Sequence, residues 1–142
     1  MQTVVLLGAL GIHSYEDIRK QEITVSITLL FGVIGVFLHV IYGKESIFFM
    51  MAGAFTGLLL CGISVMSGGK IGIGDGVVTT LTGFYLGAQK NIELMIVSSI
   101  FAGLYGLFGM WRFQYNTKTR IPMIPFFLLG YLTLLILEGV CG

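Results

Sequence analysis

Four uninterrupted apolar stretches decide most of what this chain can become: Ile23 to Tyr42, Ile47 to Met66, Ile92 to Trp111 and Ile121 to Cys141. A helix needs about 20 such residues to cross a bilayer, and inside hydrocarbon the backbone must satisfy its own polar groups, which a helix does locally. Two shorter apolar runs, Thr3 to Ile12 and Val77 to Ala88, are each flanked by a polar segment into which a helix can extend, and both read as further passes. The first does not read as a cleaved signal. Met1-Gln2 stands where a basic region belongs, and His13-Ser14-Tyr15-Glu16 stands where small residues should mark a cleavage site. The expected fold is all-α, a polytopic membrane protein with six transmembrane helices. Loops of a few residues leave no room for a separate soluble unit, so residues 1–142 read as one membrane-embedded domain.

Charge is scarce, and its placement orients the chain. Hydrophobic residues make up 56% of the 142 and charged residues only 11%, too few to clothe a body of this size in water, so the partner for most of the surface is a lipid bilayer. A net charge of +1 with no basic tract speaks against nucleic acid. With six passes, Arg19, Lys20, Lys70, Arg112, Lys118 and Arg120 fall on one side and only Lys44 and Lys90 on the other. That ratio of 6 to 2 puts the three richer loops in the cytoplasm and both termini outside a cytoplasmic membrane. Dropping just one of the short passes would scatter the basic loops over both faces. Cys61 and Cys141, 80 residues apart without a CxxC, predict neither a disulfide nor a zinc site, and His13 and His39 have no acid or cysteine at ligand spacing. No metal, nucleotide or organic cofactor is implied.

Glycines spaced three or four apart (Gly53 and Gly57, Gly83 and Gly87, and Gly103, Gly106 and Gly109) predict close helix packing. Pro122 and Pro125 mark the first turn of the last helix. Among the acids, Glu45 and Glu93 read as solvated loop ends, and Glu16 and Glu22 as parts of a charged cytoplasmic run. Glu138, set in Leu134-Leu135-Ile136-Leu137-Glu138-Gly139, reads as interfacial or bonded to a neighbour. The segment Gly68 to Gly76 holds five glycines in nine residues, with Asp75 at the mouth of a short apolar helix. A flexible loop with Asp75 as helix N-cap accounts for it simply. A phosphate cradle does not, because GK[ST] is absent and an acid stands where anion binding wants bare N–H groups. The topology places Asp17 and Asp75 at the cytoplasmic ends of the first and fourth passes, hence at one membrane depth. Two acids at one level can share a proton and activate a water between them, as in an aspartic protease.

Gly72-Ile73-Gly74-Asp75 then resembles the GxGD motif of the type IV prepilin and archaeal preflagellin peptidases. Asp17-Ile18-Arg19 followed by Ile23 is similar to the family's first-aspartate motif, and Ile121-Pro122-Met123-Ile124-Pro125-Phe126 to the Pro-Phe segment opening its last helix. The three motifs fall in family order. The resemblance implies that Asp17 and Asp75 are a catalytic pair, supported by Gly72, Gly74, Arg19, Pro122 and Pro125. It also implies a pilin-like precursor as substrate, cut at the cytoplasmic face before its hydrophobic helix, which would lie against the glycine-bearing passes. Thr24 and Val77 depart from the family's usual proline and lysine. The first should alter only how the second helix begins, and the second removes a positive charge near Asp75. Larger members carry a cysteine-rich methyltransferase domain that only Ser14 to Glu22 could hold here, so a compact form without N-methylation is expected, with a homo-oligomer left open. The presenilin and signal-peptide-peptidase group shares GxGD but has a Tyr-Asp pair and a Pro-Ala-Leu motif that this chain lacks. From another class, a noncatalytic scaffold or small transporter would use the paired acids as an ion or proton site.

Overall fold

Five helices follow one another in the computed structural model, which describes residues 2–42, 46–68, 72–113 and 121–141. They are α1 (Gln2–Lys20), α2 (Val25–Tyr42), α3 (Ile47–Met66), α4 (Ile73–Phe113) and α5 (Ile124–Cys141), with no strand among the described residues. Three of them, α2, α3 and α4, are long and apolar enough to cross a membrane, and α5 carries a shorter apolar stretch, Ile124–Val140. Helix α1 joins the first short apolar run to its polar flank. Lys44, Lys70, Lys118 and Arg120, used above to orient the chain, and Glu45, read as a solvated loop end, lie outside the described residues.

Helix α4 is not one rod. Its 41 residues would stretch about 60 Å if straight, twice the thickness of a bilayer core. Gly87 interrupts it at φ 77°, ψ 173°, a backbone conformation that favours glycine. The side-chain amide of Asn91 donates to the Thr79 carbonyl at 3.0 Å, and the Thr82 hydroxyl donates to the Asn91 carbonyl oxygen at 2.7 Å. In a straight helix Thr79 and Asn91 would stand about 18 Å apart, so the chain doubles back at Gly87 into two arms, 73–86 and 88–113.

Helix α3 packs closely along this hairpin. A Cβ on Gly53 would collide with the Gly83 carbonyl, one on Gly83 with the Gly53 carbonyl, and one on Gly57 with the Thr80 backbone. Glycine is what lets these backbones touch. The third stripe behaves differently, since Gly103 faces open space and Gly106 meets only Ile121. Asn91 also donates to the Thr56 hydroxyl of α3 at 2.6 Å, so one buried amide binds α3 and both arms of α4. The apolar core is built from Leu6 and Leu10 of α1, Val78 and Leu94 of the two arms, and Ile124, Phe127 and Tyr131 of α5. Helix α2 is held by Tyr85, whose ring covers Gly35 and whose hydroxyl donates to the Phe31 carbonyl at 2.5 Å. Its other face shows Leu29, Leu30, Val33, Phe37 and Val40 to the outside, as lipid requires.

Candidate active site

Asp17 lies in the last turn of α1, four residues after His13 and seven after Leu10, on the face turned into the bundle; only 9% of it is exposed. Its carboxylate meets the first turn of α5, where the Ile124 N–H donates to Oδ2 at 3.0 Å and the Met123 N–H adds a second bond. The sequence explains why these two amides are free. Pro122 and Pro125 have no N–H, and the N–H groups of Phe126 and Phe127 both go to the Met123 carbonyl. In this turn the amides of Met123 and Ile124 are left over, and both serve Asp17.

Asp75 lies in the first turn of α4. It is not the N-cap expected from the sequence, because the helix already begins at Ile73 and the Asp75 N–H donates back to the Gly72 carbonyl at 3.1 Å. The Asp75 carbonyl accepts from the Thr79 hydroxyl at 2.7 Å. Three glycines around it meet three different neighbours. A Cβ on Gly72 would stand 2.9 Å from Asp75 Oδ2, so the carboxylate folds back over bare backbone. A Cβ on Gly74 would stand 2.7 Å from Ile23 Cδ1, which joins the GxGD segment to the residue six after Asp17. A Cβ on Gly76 would run into Cys61 of α3, a free cysteine.

Both carboxylates sit at polar helix ends, outside the apolar runs 3–12 and 77–88. Burial pushes Asp75 up from 3.8 to about 6, and the neighbouring Asp17 charge pushes the same way. Burial also raises Asp17, but the two α5 amides oppose that rise. The structure thus brings the two sequence-predicted acids into one electrostatic unit at one end of the bundle.

Arg19 is not part of that unit. Its guanidinium lies 5.2 Å from the centre of the Tyr15 ring, a cation–π contact, and makes no ion pair with either aspartate among the described residues. Glu16, read from the sequence as part of a charged cytoplasmic run, is engaged in a local network. It accepts from the Thr24 hydroxyl at 2.6 Å and the Thr24 N–H at 3.3 Å, and lies 3.2 Å from His13 Nδ1. The Thr28 hydroxyl meets His13 Nε2 at 3.2 Å, so four side chains clamp α2 to α1 one turn from Asp17. Slight burial pushes Glu16 up, but the bonds from Thr24 and His13 outweigh it and hold the carboxyl below its ordinary range. Thr24 supplies two donors where the family's usual proline would supply neither. Among the described residues no cluster of three His, Cys, Asp or Glu side chains has the geometry of a metal site. At the other end of the bundle Glu138 does have a neighbour, Lys90 Nζ at 2.7 Å. The two α5 amides had no signature of their own in the sequence; only the proline pair hinted at them.

The sequence profile of the type IV leader peptidase family matches residues 4–107, a span that includes both aspartates and the GxGD segment. No curated protein and no solved structure matches significantly.

Proposed function

Because the chain belongs to the type IV leader peptidase family, we propose that it is a membrane aspartic endopeptidase. It removes the N-terminal leader of a pilin-like precursor, with Asp17 and Asp75 as its catalytic pair. The observation that supports this reading is that two carboxylates 58 residues apart in sequence sit at one end of the bundle, where burial and, after it, the charge of Asp17 raise Asp75. One ionised and one protonated carboxyl group suffice for the chemistry. The ionised group takes a proton from water as the water oxygen attacks the scissile carbonyl carbon, while the protonated group gives its proton to the carbonyl oxygen. The tetrahedral diol then collapses: its hydroxyl proton returns to one carboxylate, the C–N bond breaks, and the leaving amine takes the proton held by the other. The pair regains its starting charge, and no metal or cofactor enters the cycle.

In this reading residues 1–142 form one membrane-embedded peptidase unit of six passes, the arms of α4 counting as two. Both termini lie outside and the aspartate pair faces the cytoplasm. Methyl transfer is not part of it, since the place of that domain is taken by the end of α1 and a four-residue link to α2, Gln21 to Thr24. Of the glycine faces expected to receive the precursor's helix, those of Gly53, Gly57, Gly83 and Gly87 are filled by α3 and α4 themselves, so only the Gly103 face stays open to it. The test is leader cleavage by purified protein in vesicles. Asp17→Asn and Asp75→Asn are each expected to lose about as much activity as the double variant, because one water needs both groups. Substantial cleavage by either single variant, with the fold shown intact by unchanged protease resistance, would remove the pair from the reaction.

A further inference from the structure

The two aspartates are chemically identical, yet the fold treats them differently. Asp17 faces the amino end of another helix and accepts its two spare N–H groups. Hydrogen bonds to an ionised carboxylate are among the stronger ones in proteins, and the amino end of a helix carries partial positive charge. Asp75 also sits in a first turn, but its own helix gives its carboxylate no donor. Its N–H goes to Gly72, and among the described residues no hydrogen bond to the side chain is found.

Among the described residues, the other ionisable groups nearby do not reverse this asymmetry. On α1, His13 and Glu16 are bound to each other and to Thr24 and Thr28 of the link and α2, while Arg19 lies over Tyr15. Lys20 and Glu22 are exposed. Helix α3 brings the Cys61 thiol against Gly76 rather than against a carboxylate, and the start of α5 brings Met123, Ile124, Pro125 and Phe126, whose side chains do not titrate.

We propose that Asp17 is the base of the pair and Asp75 the acid, an assignment made by the backbone amides of Met123 and Ile124 acting as positioning groups. It rests on reading the pair as a proteolytic dyad. Asp17 then stays ionised and takes the proton from water, and Asp75 holds the proton that goes to the scissile carbonyl. The electrostatics point the same way, since Asp75 is pushed to about 6 while the amides work against the rise at Asp17. The proline pair gains a purpose beyond starting a helix, because removing two N–H groups from the turn leaves the other two for a single acceptor.

A single-atom change tests this. Ile124 is replaced by its α-hydroxy acid through nonsense suppression, so that an ester oxygen stands in place of the N–H and the side chain is kept. The same exchange at Phe127, whose N–H bonds within the helix start, is the control. The pair titrates in two macroscopic steps. With Asp17 as base, the Ile124 ester raises the lower step by about one pH unit and leaves the upper step in place. The acid limb of the pH–rate profile therefore moves toward neutrality while the alkaline limb stays, and the Phe127 ester moves neither. An infrared titration of the carboxyl C=O stretch reads the same two steps without substrate, so a variant too slow to assay still gives an answer. A shift of the upper step, or of neither, overturns the assignment. It would do so while leaving the dyad itself intact, because the dyad stands or falls with the separate Asp17→Asn and Asp75→Asn variants.

Discussion

A carboxyl group that keeps its proton nearly to neutral pH works against the fold that holds it. Asp75 is raised from 3.8 to about 6, so between those values the folded chain binds a proton that the unfolded chain has lost. Folding therefore becomes less favourable as pH climbs through that window, and the whole penalty is present above it. With solvent still reaching the half-buried carboxylate, the penalty is about 1–2 kcal/mol. Asp75→Asn is expected to unfold later than the wild type by that amount at pH 7, and at the same point at pH 4. Thermal melts in detergent at the two values check it, and a variant no more stable at pH 7 would contradict it. Wild-type cleavage should in turn decline above about pH 6, as Asp75 loses the proton it must donate. Gly72 separates position from stability. A methyl group there would stand 2.9 Å from Asp75 Oδ2, the free end of a side chain that can swing away. Gly72→Ala should therefore cost at least about tenfold in cleavage, the order of a misplaced catalytic group, with the melting temperature unchanged. A matching loss of both would assign Gly72 to the fold alone.

Helix length was written plainly in the chain, because an apolar run is a one-dimensional property and lipid tolerates little else. Where α4 turns was legible to within a few residues, since the runs ending at Ala88 and starting at Ile92 put a loop at 89–91, whereas the break itself falls at Gly87. Gly87 looks like one of many glycines until its positive φ and the reach of Asn91 to Thr79 are seen together. Asn91 itself stood unnoticed between two apolar runs, since an amide reveals its purpose only through partners brought in from α3 and from the other arm. Replacing it with leucine removes three hydrogen bonds from a buried site, against which Thr56 and Thr82 keep only their bonds to the carbonyls of Gly53 and Thr79. Asn91→Leu should destabilise the protein by about 1–3 kcal/mol, seen as a lower midpoint in chemical denaturation, and an unchanged midpoint would mean the hairpin is held by its glycines alone. The site was half legible for a related reason. The acids and prolines have letters in the sequence, whereas the amides that meet Asp17 belong to the backbone and become donors only through the pattern of their neighbours. Thr24 looked like a departure from the family pattern, yet its hydroxyl and N–H both bind Glu16, a partner eight residues away that only the turn into α2 brings near.

At the scale of the whole molecule the two ends of the bundle differ, and the difference predicts how it sits in a membrane. One end gathers the close of α1, the start of α4 and the start of α5 around Asp17 and Asp75. The other holds a cavity of about 250 Å³ bordered by Thr3 from the start of α1, Phe49 from the start of α3, Lys90 after the Gly87 break and Glu138 near the close of α5. Strict alternation of passes gives that arrangement, because beginnings of odd passes and ends of even ones share a side. If the chain makes the six passes proposed above, basic residues concentrate on the aspartate side, 6 against 2 in the sequence, and that end should face the cytoplasm. The rule acts on loops near the passes, and the three richer loops are all short, which is where it works best. In a background of Cys61→Ala and Cys141→Ala, a single cysteine introduced as Thr117→Cys should resist an impermeant thiol reagent in intact cells and react once they are opened. Gln89→Cys, at an exposed position beside Lys90, should react from outside. The reverse labelling would turn the molecule over and put the aspartate pair outside, out of reach of a precursor still carrying its leader in the cytoplasm. Labelling of both from outside would mean that one stretch fails to cross, and the first suspect would be an arm of α4.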